Sequence, residues 1–199
     1  MAYDDLLVCF SSYPDPTPPD VISEAARVTA ALGASACAVA GHIKIPLKSN
    51  QLAEMLMHLS DVARDEEAKS LRNAQSVMKG FQSAAESFGL TATTKIIPAE
   101  LYTMIDRLVQ MARTRSLTIL PIEAFATVPG GLAEALIFGS GRPVVLFAHG
   151  QRMPPRPRFE RIVVAWDGGR AAARAVADAM PLLRRAEEVS ILAVIGDKP

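Results

Sequence analysis

A short, continuous apolar run at residues 6–10 constrains this chain more than any other feature; a second apolar run, 36–43, ends in His42, and residues 117–122 and 143–148 read as further strands. A strand that is apolar at every position must be buried on both faces. Such strands belong to parallel sheets walled by helices. A β-rich stretch at residues 91–97 predicts one more strand, the third in chain order.

Helical periodicity fills the gaps between them. After the turn cluster "SSYPDPTPPD", Asp20 is placed to cap a helix, because its side-chain oxygen can accept N–H groups left free in the first turn. Val21, Ile22, Ala25, Val28 and Leu32 share one face, and Gly33 is a fitting stop. Residues 51–88 form the longest periodic stretch. One unbroken helix of that length would reach roughly 57 Å at 1.5 Å per residue, so a bend or break is predicted near the charged "RDEEAKS". Residues 99–115 read as a helix with Met104, Ile105, Leu108 and Ala112 inward. Another opens at Gly130 and Gly131 and runs through Phe138, with residues 139–141 as its stop. Strands and helices alternating at this spacing make βαβ units, and right-handed crossovers wind them into a sheet covered on both faces. The expected fold is a doubly wound, five-stranded parallel sheet over residues 1–149.

Composition excludes several classes. The 199 residues are 50% apolar and 21% charged, with no net charge, so neither disorder nor a basic field for nucleic acid or anionic lipid is expected. Residues 1–150 carry 12 basic and 15 acidic groups and residues 151–199 carry 9 and 6, a difference too small to define a partner. The start has two acids before a short apolar run, the reverse of a secretory leader, and no stretch has the length of a membrane span. Cys9 and Cys37 sit inside apolar runs and read as packing thiols of a reducing, cytoplasmic protein. No Cys/His spacing suggests a metal site.

The opening of the chain recurs after a Pro/Arg-rich linker at residues 150–158. "RIVVAWDGG" repeats the pattern of "DLLVCFSSY", with Trp166 on Phe10 and Asp167 on Ser11. A helix follows with Ala173, Val176, Ala177, Met180 and Leu183 on one side, and Pro181 is expected to bend or end it. "VSILAVIGD" then repeats "ACAVAGH". Residues 159–199 therefore read as a partial β-α-β second copy. So small a piece is expected to pack on the first unit or pair with a second chain.

In order and spacing this pattern resembles the universal stress protein family in its tandem form. "IVVAWDGGRAAARAVADAMPLL" is similar to that family's first strand, acidic turn and first helix, and "RPVVLFA" to its last strand. The resemblance implies an adenine nucleotide alpha hydrolase-like fold, a stress-response binding or regulatory role, and a homodimer through the last strand, residues 144–147. It also implies a ligand site beyond the strands' carboxyl ends, near Phe10, Ser11, Ser12, His42, Pro121, Ile122, Gly130, Gly131 and Leu132. In nucleotide-binding members an Asp ends strand one, a Gly-x-x-Gly follows strand four, and a Gly-Ser/Thr starts the next helix. Here Ser11 and Ser12 replace the Asp-Gly, and "PIEAFATVPGG" lacks the glycine loop. Asp167 and Gly168 keep the acidic turn in the second copy, but the later elements are missing there. Asp167 equally suits a helix cap. The expectation is a module without ATP, without a cofactor and without catalysis; the alternative is an ATP-dependent switch.

Other candidates read as structural. "GSGRP" at residues 139–143 precedes a strand, as a helix stop does. His42 has no nucleophile or orienting partner in sequence. His58 and His149 read as structural or solvated, and the methionines as core.

Overall fold

The computed structural model describes residues 3–32, 35–46, 59–123, 131–149 and 159–194. Five parallel strands form the main sheet: β1 (Asp5–Phe10), β2 (Ser35–Lys44), β3 (Ala92–Glu100), β4 (Leu117–Glu123) and β5 (Val144–His149). Their spatial order is β3-β2-β1-β4-β5, with crossovers diverging between β1 and β4. The doubly wound sheet expected from the apolar runs is present.

The pleat explains those runs. In β1, Leu6, Val8 and Phe10 enter one core, and Leu7 and Cys9 enter the other. The first core lies under α1 (Pro19–Leu32) and α2 (Leu59–Ser87), and the second under α3 (Leu101–Ala112) and α4 (Leu132–Gly139). Because β1 is central, all five residues from Leu6 to Phe10 are at most 5% exposed. A residue of either parity therefore has to be apolar.

Several local expectations are corrected. The break near residues 64–70 does not occur. α2 runs through that stretch for 29 residues, about 43 Å. Charged residues end no helix by themselves, and here they anchor β2. Ser70 Oγ accepts the Ile43 N–H at 2.9 Å, and Glu67 accepts from the Ile45 N–H and Lys44 Nζ, both at 2.9 Å. Residues 51–58 of that stretch, and the proposed stop at Gly33, lie outside the described residues. α1 starts at Pro19, so Asp20 sits in the first turn rather than at the cap. Proline suits that first position because its fixed φ is already helical and its missing N–H is not needed. β3 continues through Pro98 to Glu100, which shortens the following helix to Leu101–Ala112. An edge strand tolerates proline, since its outer side forms no ladder.

A second, two-stranded parallel sheet follows: β6 (Arg161–Ala165), α5 (Arg170–Leu183) and β7 (Glu188–Leu192), with Ile162 opposite Val189 and Val164 opposite Ile191. The strand–helix–strand expected at residues 161–195 is there. α5 continues through Pro181 to Leu183 without ending. This unit touches the first through Tyr3, Ala31, Phe159 and Leu182.

Candidate functional site

The reversal of crossovers between β1 and β4 sets a mouth at their carboxyl ends, the usual ligand position in open α/β sheets. The chain reaches it from β1 through Phe10, Ser11 and Ser12. Phe10 does not face the mouth: it is 5% exposed and packs its ring 5.5 Å from that of Phe81 under α2.

Both serines are committed to the turn. The Ser11 N–H donates to Thr17 Oγ1 at 2.9 Å, its carbonyl accepts the Thr17 N–H at 3.0 Å, and its hydroxyl donates to the Asp15 carbonyl at 3.0 Å. Ser12 is 3% exposed; its hydroxyl donates to the Gly41 carbonyl at 2.5 Å, and its carbonyl accepts Asn73 Nδ2 at 3.1 Å. These bonds tie the β1–α1 turn to β2 and α2. Tyr13, Ile122 and Leu132 lie partly buried against the core under α3 and α4. Pro121 pairs with Phe147 and Ile122 with Ala148, so both belong to the sheet as expected. Gly41 packs closely against α3: a Cβ there would stand 2.4 Å from Met104 Cε. Met104, buried in the core under α3 and α4, thus fills the space that the missing side chain leaves.

His42 ends up beside Lys44 and Glu67, and pairs in register with Pro98 of β3. Burial first, and then Lys44, hold its imidazole below the usual range, with Glu67 pulling upward. No bond to Ser11 or Ser12 accompanies it among the described residues. Gly131 is the N-cap of α4 and makes no side-chain cap bond, and Leu132 opens that helix. Gly130 lies outside the described residues.

Asp167 and Gly168 sit in the C-terminal unit. Asp167 Oδ1 accepts the Gly169 N–H at 2.7 Å, and Gly168 takes a φ of +74° that favours glycine. The helix cap is Gly169 itself, so Asp167 shapes the turn before the helix and does not cap it. It is not joined to the mouth between β1 and β4 by any bond among the described residues.

Cys9 and Cys37 are neighbours, as their strands suggested. Cys9 pairs with Val39 and Cys37 with Leu7, a diagonal on adjacent strands. Both are buried and free, and burial, with Cys37 second, pushes the Cys9 thiol up to about 12. A thiol so reluctant to ionise is a packing group. An open groove of about 740 Å³ lies away from the mouth, at the outer edge of the sheet, lined by Lys44, Glu100, Thr103, Asp106 and Arg107 among others. Among the described residues there is no group of three or more His, Cys, Asp or Glu poised for a metal, and no helix long and apolar enough to cross a membrane.

No protein-family model matches the sequence, and no curated protein matches it. Solved structures do. A universal stress protein from Archaeoglobus fulgidus DSM 4304 superposes with a TM-score of 0.64 at 15% identity, over 97% of this chain and 67% of that one. So wide a match takes in the C-terminal strand–helix–strand as well as the five-stranded sheet. A hypothetical protein whose biochemical function was assigned from its structure aligns with a TM-score of 0.51 at 12% identity, over 76% of this chain and 100% of that one. A universal stress protein in complex with cAMP aligns at 0.47 and 14% identity, over 74% of this chain and 98% of that one. The likeness to the first of these extends over nearly the whole chain, and the chain has the fold of the universal stress proteins.

Proposed function

We propose that this chain is a non-catalytic binding or regulatory module of the universal stress protein type, whose five-stranded unit works in the cytoplasm without ATP. One observation carries the reading: the serines that stand where the acidic turn would be are hydrogen-bonded within the chain, beside the carboxyl end of β1. The Ser12 hydroxyl is buried on the Gly41 carbonyl, and Ser11 spends both backbone groups on Thr17. No carboxylate ends β1 to receive a ribose or base, and Tyr13, Ile122 and Leu132 rest on the core. A nucleotide that displaced these groups would break their bonds and expose apolar surface, a cost its own contacts would have to offset.

The module is proposed to act as a homodimer through residues 144–147 of β5. That strand is an edge of the sheet, with Val144, Val145 and Leu146 only partly buried. Residues 159–199 are read as the start of a second copy of the same unit, after a linker at 150–158. Equilibrium dialysis with labelled ATP and Mg²⁺ tests the central claim. The expected result is no saturable binding in the micromolar range. Saturable micromolar binding would replace this reading with that of a nucleotide-dependent switch.

A further inference from the structure

The C-terminal β6–α5–β7 unit is held to the five-stranded unit by few groups. Tyr3 Oη donates to the Asp178 carbonyl at 2.8 Å. Arg185 Nη2 donates to the Ala31 carbonyl at 3.3 Å, in the last turn of α1, where carbonyls lack helical partners and carry partial negative charge. Phe159 and Leu182 lie partly buried against the core under α1 and α2. Among the described residues, no side chain of α5 is fully buried, and the unit leaves Val163 65% and Ile191 72% exposed.

The first unit nevertheless depends on the contact at one point. Tyr3 is only 7% exposed, and burial followed by the charge of Asp178 raises its phenol above the usual range. A buried phenol of the first unit is therefore hydrogen-bonded to a neighbour that is itself loosely held. Interfaces this small and this polar leave relative motion as the default between packed units. Segments with few buried apolar contacts also open at a lower cost than the core does. A two-stranded sheet adds little rigidity of its own.

We propose that β6–α5–β7 docks reversibly on the α1 side of the five-stranded unit, as a latch. Tyr3–Asp178 and Arg185–Ala31 are its two fastening points, and Phe159 and Leu182 are its seat. Release opens Tyr3 and the adjoining α1 end to solvent while the five-stranded sheet stays folded. The claim is independent of whether the mouth takes a nucleotide.

Distance measurement between spin labels tests it on the full chain. Labels are placed at Ser87→Cys and Ala175→Cys, both exposed positions; the buried Cys9 and Cys37 do not compete for label. Labelled protein is diluted into unlabelled chain so that only the distance within one molecule is read. Two distance populations are expected. Leu182→Asp should lower the docked-to-released ratio at least tenfold, and Arg185→Ala and Tyr3→Phe each severalfold. If Leu182→Asp is unfolded by circular dichroism, the other two variants decide, since each removes one hydrogen bond without touching the core. One narrow distance that the folded variants leave unchanged would overturn the latch and make the contact permanent.

Discussion

At the scale of single residues, two buried hydroxyls, one on α2 and one in β4, have opposite roles. Ser70 is fully buried and accepts the Ile43 N–H; Thr118 is fully buried and its hydroxyl has no partner among the described residues. Removing an acceptor strands a buried donor, whereas removing an unpartnered hydroxyl relieves a desolvation cost. Ser70→Ala should therefore cost about 1–3 kcal/mol, while Thr118→Val, close in shape, should leave stability unchanged or raise it by up to about 1 kcal/mol. Urea unfolding midpoints check both, and a loss for Thr118→Val would mean that a hidden acceptor exists. The serine pair at 11 and 12 belongs to the same scale. The sequence shows that the acidic residue expected by resemblance is absent. That the replacements bind the turn shut is visible only once Thr17, Asp15 and Gly41 are seen beside them.

At the scale of elements, α2 is the main brace of β2. It has one glycine in its interior, Gly80, where an added Cβ would meet Ile22 at an ordinary 3.7 Å. Gly80→Ala should stabilise the protein by about 0.5–1 kcal/mol, because alanine loses less backbone freedom in a helix. A thermal melt that fails to rise would show that the α1–α2 contact has no room. The outer end of the brace responds to pH. Glu67 is held below its ordinary 4.5 by the Ile45 N–H first and then by Lys44. Its contribution is whole above that value and is lost as pH falls through the lower folded value. His42, held below its ordinary 6.5 chiefly by burial, binds its proton more tightly in the unfolded chain. Its contribution is likewise whole above about 6.5 and falls away in acid toward the lower folded value. Stability should thus decline in two acid steps, each modest because both groups are partly solvated. His42→Gln should abolish the upper step; a profile for that variant parallel to wild type between pH 7.5 and 5.5 would assign the step elsewhere.

At the scale of the whole molecule, exposed apolar groups include several on the C-terminal unit and two on α4, the helix before the edge strand β5. Phe138 on α4 is 81% exposed and Ile137 46%. If β5 pairs across a two-fold axis, light scattering should give twice the 21.3 kDa chain mass. Phe138→Asp should weaken that association with little effect on melting of the monomer, because the ring contributes almost nothing to the core. A monomer at all concentrations would remove the dimer from the proposed function. Much of this architecture was legible beforehand. Apolar runs separated by helical periodicity left a parallel, doubly covered sheet as their natural solution, since burial on two faces favours apolar residues at nearly every position. The recurrence of that pattern after residue 158 likewise marked a strand–helix–strand. What local pattern could not determine were facts of contact between distant segments. Charges at 64–70 looked like an interruption until β2 was seen to need Glu67 and Ser70. Gly41 looked like an ordinary strand glycine until Met104 was found in the space beside it. Periodicity is a property of neighbours along the chain and sets which face of an element is apolar. How the β1–α1 turn is held, and what packs on Gly41, depends on groups from β1, β2, α2 and α3 meeting in space, and only the folded chain brings them together.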